Sequence, residues 1–128
     1  MTDQLNWPDT LRARAAAHFH QDMLDGCQTL KRLGYWPGYF HRDVANDGGV
    51  TTVKKLLKKD GTSDGFTTLW ELGRLDMSVE AFVLLPWYEV LFDDNERQVA
   101  RTRLEAHRFN VDAFLRGLPA PPTWSRPE

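Results

Sequence analysis

Apolar residues recur at steps of three or four along most of this chain, which is the spacing of one face of an α-helix. The longest such stripe consists of Leu11, Ala15, Phe19, Met23, Cys27 and Leu30. This stripe predicts a long first helix that opens at Pro8 or Asp9. The helix should end near Leu33, because Gly34 follows it and glycine reaches the left-handed conformation without a side-chain clash.

The stretch from Gly48 to Leu85 contains three shorter periodic segments, each bounded by its own start and stop signals. Their inward-facing residues are Val50, Val53, Leu56 and Leu57 in the first, Phe66, Leu69, Trp70 and Leu72 in the second, and Val79, Phe82, Val83 and Leu84 in the third. Ser63 or Asp64 can cap the second segment and Ser78 the third, because these side chains accept hydrogen bonds from free amides at a helix start. Three further helices are therefore expected here.

Two proline-led segments flank this stretch. Pro37 can open a short helix that carries Phe40 and Val44 inward, because proline fits the first turn of a helix. Pro86 can open a single turn that reaches Phe92. Both segments are expected to be short.

The late part of the chain contains a capping box, Asp93-Asp94-Asn95-Glu96. In it, Asp93 accepts from the amide three residues on while Glu96 reaches back to the amide of Asp93. A charged helix should follow to about Arg108. Asn110 can stop that helix and cap a final turn that begins at Val111.

No segment shows the strict alternation of a β-strand, so the predicted fold class is all-α. We expect a single compact domain of one long N-terminal helix and about six shorter helices. The predicted boundaries are a flexible N-terminal arm at residues 1–8, a helical domain at 9–117 and a tail at 118–128. The tail should be extended, because four of the last twelve residues are prolines.

Composition narrows the class of protein. Hydrophobic residues make up 41% and charged residues 27% of the 128 positions, as in ordinary globular domains. The formal net charge of -2 provides no overall attraction to nucleic acid or anionic lipid, so any such binding needs a local patch. A single cysteine excludes a disulfide within the chain, and no apolar run is long enough for a membrane span. A cytoplasmic location without membrane contact is expected.

Basic residues form two local clusters. Lys54, Lys55, Lys58 and Lys59 are four of the five lysines, and the helix wheel places all of them opposite Val53 and towards solvent. The other candidates are Arg74, at a corner between two helices, and three arginines of the late helix, Arg97, Arg101 and Arg108. These residues favour contact with nucleic acid or an acidic partner, and solvated helix faces with local ion pairs are the structural alternative.

Tryptophan is abundant, with five residues in the chain. Trp70 and Trp87 lie in periodic segments and are the candidates for the core. Trp36 lies in an aromatic turn, and Trp7 and Trp124 lie in the terminal arms. An arm that carries a tryptophan either folds back onto its own domain or docks on another molecule, so Trp7, Trp36 and Trp124 are candidate contacts for a protein partner.

Catalytic and metal-binding patterns are missing from the sequence. His18 and His20 point to opposite sides of the first helix and cannot share a metal ion from it. Cys27 belongs to the apolar stripe, which favours a buried hydrophobe over a nucleophile. The sequence also lacks a Gly-rich phosphate loop and the G-x-S-x-G and H-E-x-x-H motifs. We therefore expect no enzyme activity, no cofactor and no small-molecule substrate, and an enzyme would need a pocket with converging polar groups.

The motifs GGVTTVKKLL, SDGFTTLWELGRLDMSVEAFVL and LFDDNERQVARTRL together span most of the chain, from about Tyr35 to Leu104. In them the pattern GG-x8-LL … DGF-x2-L-x3-GRLD-x2-VE resembles that of an uncharacterised bacterial family of small helical proteins and domains. The resemblance implies an accessory or interaction role. The long first helix and the Pro-rich tail lie outside the pattern.

Two functions follow as hypotheses. The first is a non-enzymatic helical interaction module that binds a protein partner or a second copy of itself. The alternative is an accessory protein that binds nucleic acid through the Lys54–Lys59 helix face, and it predicts affinity that falls steeply with salt.

Overall fold

The computed structural model describes residues 7–126, with side chains from Asp9 onward, and this part of the chain consists of helices and their connections, without strands. Seven α-helices follow one another: α1 Trp7–Arg32, α2 Gly38–Asp47, α3 Gly49–Lys58, α4 Asp64–Glu71, α5 Val79–Val83, α6 Asp94–Ala106 and α7 Val111–Arg116. Short 3-10 helices lie at Leu75–Met77, Pro86–Leu91 and Thr123–Ser125. The prediction of an all-α domain with one long first helix is confirmed.

The predicted helix caps form where the sequence placed them. Ser63 accepts from the amide of Phe66 at the start of α4, and Ser78 accepts from Ala81 at the start of α5. At α6 both halves of the capping box are present between Asp93 and Glu96. These local hydrogen bonds satisfy amides that have no partner within the helix, so the helix starts are fixed by nearby residues alone.

Helix α1 lies at the centre of the domain and packs on α2, α3 and the Pro86–Leu91 turn. Phe19 on α1 is fully buried, and the rings of Tyr88 and Phe92 meet it edge-on at centroid distances of 5.0 and 5.2 Å. Edge-to-face contacts of this kind add to the free energy that burial of the rings provides. A second buried cluster joins α4 to α6 and α7 through Phe66, Leu69, Leu75, Ala81, Leu104 and Val111.

The contact between α1 and α3 depends on one glycine. A Cβ atom on Gly49 would lie 2.8 Å from the Cα atom of His20, so only glycine permits this approach. The amide of Gly49 donates to Nδ1 of His20 at 3.0 Å, which fixes the register of the two helices.

The C-terminal segment packs against its own domain. The Trp124 ring stacks on His18 with a centroid distance of 4.5 Å and an interplanar angle of 6°, and it lies 5.7 Å from Tyr88. Leu118 also packs against the core cluster. The prediction of an extended tail is therefore not confirmed, because burial of these apolar side chains holds the segment on α1.

Three details differ from the sequence predictions. Helix α1 begins at Trp7, so the predicted arm of residues 1–8 contains its first residues, and residues 1–6 of that arm lie outside the described residues. The prediction that Trp70 and Leu72 face the core is wrong, because these residues are 49% and 47% exposed. Helix α6 ends before Arg108, which has φ 63° in the left-handed region. No glycine marks that end, so the sequence carried no signal for it.

Candidate binding cavity

A cavity of about 730 Å³ opens beside α1. Its walls come from α1, from α2 with the turn that precedes it, from one side of α3, from α4 and from the start of α5. Volumes of this size are typical of sites that bind small molecules or inserted side chains. The cavity is the place where side chains from distant parts of the chain converge.

Aromatic side chains form the mouth of this cavity. Trp36 is 46% exposed and Tyr39 is 79% exposed, which is unusual for two large rings so close in sequence. Cations of the chain already lie over these rings, with Lys31 Nζ 5.7 Å from the Trp36 centroid and the Arg42 guanidinium 5.2 Å from that of Tyr39. Four further aromatic residues of the lining are Tyr35, Phe40, Phe66 and Phe82.

Gly26 leaves space in the cavity, because it places no side chain on the α1 wall. It lies inside the 26-residue helix α1, where glycine costs about 1 kcal/mol relative to alanine. Nothing lies within 4 Å of the position that a Cβ atom would occupy, and the residue has no positive φ that would require glycine. Unlike Gly49, Gly26 therefore has no packing reason in the fold.

Thr52 on α3 lines the cavity and carries a polar atom without a partner. The residue is 4% exposed, and its Oγ1 atom forms no hydrogen bond within the part of the chain that the structure describes. Buried polar groups are normally hydrogen-bonded, because an unpaired one costs free energy. The oxygen atom is itself buried, so a ligand group in the cavity can reach it only if the Thr52 side chain rotates.

Acidic side chains are distributed around the lining. Asp22 on α1 accepts a short hydrogen bond from the Tyr88 hydroxyl, and burial raises the pKa of Asp22 while that bond opposes the rise. Asp47 pairs with Lys55 at 3.6 Å, and Asp43 pairs with Arg42, which lies outside the lining, at 3.1 Å. These two pairs are solvent-exposed and therefore weak.

Glu80 of the cavity lining forms a buried ion pair with Arg103 of α6. Arg103 Nη1 lies 3.2 Å from Glu80 Oε2, and only 11% and 5% of the two side chains are exposed. The other guanidinium nitrogen donates to the carbonyls of Leu56 and Lys59 at the end of α3. Burial raises the pKa of Glu80, and the charge of Arg103 opposes that rise.

The lining contains no nucleophile paired with a base among the described residues. Burial raises the pKa of the Cys27 thiol to about 11, so the reactive thiolate is scarce at neutral pH. The Ser78 hydroxyl donates to the carbonyl of Leu75 and caps α5, so it is fully engaged in the fold. The four histidines lie outside the lining. The arrangement can bind a molecule by shape, ring faces and charge.

The predicted basic residues do not merge into one free surface. Lys54 is half-buried and pairs with Glu96 at 2.8 Å, so the prediction that all four lysines point to solvent is wrong for Lys54. Acidic partners also occupy Lys55, Arg74, Arg97 and Arg101. Lys58, Lys59 and Arg108 are exposed and have no ion pair with a described residue. Arg108 lies beyond the end of α6, away from the flank that the helix wheel gave it.

The three candidate tryptophans have different positions. Trp36 lies at the mouth of the cavity, and its role as a partner contact stays a prediction. Trp124 is folded back on α1, which was one of the two outcomes expected for an arm. The side chain of Trp7 lies outside the described residues.

Neither a search for metal-ligating side chains nor comparison with known proteins assigns a function to the site. Within the described range, no group of three or more histidine, cysteine, aspartate or glutamate side chains is arranged to hold a metal ion. No helix between residues 7 and 126 combines the length and apolar character needed to cross a membrane. Comparison with protein-family models, curated proteins and solved structures found no match to this chain. The resemblance to a small bacterial helical family stays a prediction.

The sequence interpretation included Trp36 but missed the cavity, because its lining comes from five separate segments. One signal was available. Gly26 interrupts a long helical stripe without any neighbouring stop signal, and an unexplained glycine inside a helix often marks a close approach or a functional site.

Proposed function

We propose that this protein is a small non-enzymatic interaction module of the cytoplasm, which binds a protein partner or a second copy of itself at the mouth of the cavity. The observation that carries the proposal is the exposure of Trp36 and Tyr39 beside a cavity of about 730 Å³. Large aromatic residues next to a pocket are typical of the positions that contribute most to binding free energy in protein interfaces.

Binding fits the chemistry of the cavity better than catalysis does. A nucleophilic enzyme needs a nucleophile with a base within hydrogen-bond reach. Cys27 has a raised pKa and Ser78 is used as a helix cap, so neither is activated. The aromatic rim and the open interior instead offer apolar area that a partner can cover.

A photo-crosslinking experiment tests the proposal. Benzoylphenylalanine in place of Tyr39 should give a covalent adduct in the cells from which the sequence comes, because the ring at this position lies at the contact. The matched control carries the same group in place of Gln98, which is exposed on α6 and outside the cavity lining. The control should give no adduct.

Mass measurements separate the two kinds of partner. An adduct of two identical chains, together with a mass in light scattering above the 14.8 kDa of the monomer, identifies self-association. An adduct with a different protein identifies a heterologous partner. A strict monomer that gives no adduct at position 39, or gives equal adducts at positions 39 and 98, contradicts the proposal.

Nucleic-acid binding is the second candidate, and the free lysines Lys58 and Lys59 favour it. Their ammonium groups have no ion pair with a described residue, so they can neutralise phosphates without first losing an acidic partner. A gel shift with duplex and single-stranded DNA at low salt tests the idea. Binding should weaken with salt and in the Lys58→Ala/Lys59→Ala variant, and no shift at low salt contradicts it.

A further inference from the structure

The charge of the cavity lining is unbalanced. Five carboxylates line it, from Asp22, Asp43, Asp47, Asp64 and Glu80, against two ammonium groups, from Lys55 and Lys59. Arg103 compensates Glu80 from outside the lining, and the pairs at Asp43 and Asp47 are exposed and weak. These pairs leave Asp22 and Asp64 against Lys59, so a small excess of negative charge favours a cation over an anion.

Asp22 is the carboxylate best placed to receive that cation. It lies half-buried in the α1 wall, one helical turn from Gly26. Its hydrogen bond comes from the Tyr88 hydroxyl, which is a neutral donor, and the charged groups that act on it are Asp25 and His18 on the same helix. A cation in the cavity would bring the positive charge that the tyrosine does not supply.

The aromatic lining favours the same kind of group. Ring faces attract ammonium and guanidinium groups, and the attraction grows when the cation is taken out of water. Lys31 and Arg42 already lie over the rings of Trp36 and Tyr39 at the mouth, so these rings accept cations within the protein itself. Apolar lining residues such as Leu30 and Leu69 suit a hydrocarbon stem.

Thr52 and Gly26 are independent signs of an occupant. The Thr52 hydroxyl is buried in the cavity wall without a hydrogen-bond partner among the residues described here, and after rotation of the side chain it can accept from an ammonium group. The Gly26 position has room for a side chain that the helix would favour, and leaving it empty preserves space. Neither feature has an explanation in the packing of the domain.

We infer that the cavity binds an alkyl cation, which the protein partner supplies as a lysine or arginine side chain flanked by apolar residues. The stem lies along the aromatic and aliphatic lining, and the charged head reaches Asp22, and also the Thr52 hydroxyl once that side chain rotates towards the cavity. This inference rests on the proposed function, because it specifies what the partner inserts at the contact.

Three probes with the same six-carbon stem test the charge preference. Hexylammonium, hexanol and hexanoate are titrated into the ¹⁵N-labelled protein, and the indole N–H signal of Trp36 reports binding. We expect hexylammonium to bind about tenfold more tightly than hexanol, and hexanoate to bind most weakly. Added salt should weaken the binding of hexylammonium and leave that of hexanol unchanged.

Variants locate the probe. Gly26→Leu fills the cavity and should abolish the shift, whereas Gly26→Ala adds one methyl group and should retain most of it. Asp22→Asn and Thr52→Val should each weaken hexylammonium more than hexanol. Gln98→Ala on α6 is the control and should bind like the wild type. Circular dichroism of each variant shows that it is folded.

The source of the cation is tested with two capped tripeptides, acetyl-Leu-Lys-Leu-amide and acetyl-Leu-Glu-Leu-amide. The lysine peptide should bind at least as tightly as hexylammonium and compete with it, and the glutamate peptide should not. Binding of hexylammonium without the lysine peptide would contradict a protein side chain as the occupant.

Equal affinities for the three six-carbon probes, or a preference for hexanoate, would overturn the inferred charge. No shift with any probe would overturn the cavity as the site. The crosslink at position 39 does not depend on these probes, so the proposed function and the inferred ligand fail separately.

Discussion

Helix α3 lies between two regions that differ in whether their buried polar groups have hydrogen-bond partners. On the side towards α6, Arg103 donates to Glu80 and to two carbonyls at the end of α3, and Lys54 pairs with Glu96. On the side towards α1 and α4, the Thr52 hydroxyl has no partner among the described residues. In the first region, which we call the closed side, these polar groups have partners. The second region, the cavity side, contains the cavity and a buried hydroxyl without a partner.

Two glycines that lie at α1 also differ in the reason for their presence. Gly49 permits an approach to α1 that no other residue allows, and Gly26 stands where a side chain would fit. Gly49 therefore contributes to the stability of the fold, whereas Gly26 lowers it. Features that cost stability without a packing reason are typical of functional sites, which is why we propose that binding takes place on the cavity side.

The largest effect is expected at the closed side, from Arg103→Met. This change leaves the carboxylate of Glu80 buried without its cation, and it leaves two carbonyls without a donor. The free energy of unfolding should fall by about 3 kcal/mol or more. Chemical denaturation at pH 7.5 measures it.

The same variant should show a pH dependence. Without Arg103, the pKa of Glu80 lies still further above its ordinary value, so the folded state binds more protons than the unfolded chain between the two pKa values. Stability relative to the wild type then falls as pH rises through the folded pKa, and the deficit should be smaller at pH 4.5 than at pH 7.5. A deficit equal at both values would mean that the ion pair contributes nothing.

Gly49→Ala should give the next largest loss. The new methyl group would lie 2.8 Å from the Cα atom of His20, so α1 and α3 must move apart. Overpacking of this kind costs about 1–3 kcal/mol, visible as a lower midpoint of urea denaturation. Unchanged stability would show that the helices separate freely.

Gly26→Ala makes the same substitution at the cavity and should have the opposite effect on stability. Alanine has the higher helix propensity and its methyl group meets nothing within 4 Å, so the free energy of unfolding should rise by about 0.5–1 kcal/mol. Thermal denaturation measures the gain. A loss of stability would show that the cavity wall is closed at this position.

Thr52→Val should have the smallest effect on stability. Valine has the shape of threonine without the hydroxyl, so the change removes a buried polar group that has no partner within the described structure. We expect a gain of about 0.5 kcal/mol in the same denaturation experiment. A clear loss would indicate that the hydroxyl is satisfied within the protein, which would weaken its role in binding.

Most of the fold follows from local patterns in the sequence. The caps Ser63, Ser78, Asp93 and Asn110 and the stripe of α1 depend on residues a few positions apart, so spacing alone predicts them. The sequence pattern predicted Trp70 in the core because α4 has an apolar face that is wider than the part the core covers.

The packing around α3, and with it the cavity, depends on relations that no local pattern contains. Lys54 and Glu96 are 42 residues apart, and Arg103 reaches carbonyls of α3 that are 44 and 47 residues away. Such pairs are set by how the helices pack. The unpaired state of Thr52 is equally invisible in the sequence, because it depends on which atoms surround the hydroxyl.

Thermal denaturation in the presence of hexylammonium tests the central claim most directly, because a ligand that binds only the folded state stabilises it in proportion to its affinity. The melting temperature of the wild type should rise with hexylammonium concentration, and that of Gly26→Leu should not respond. An equal rise in both proteins, or no rise in the wild type, would contradict the assignment of the cavity as a cation-binding site.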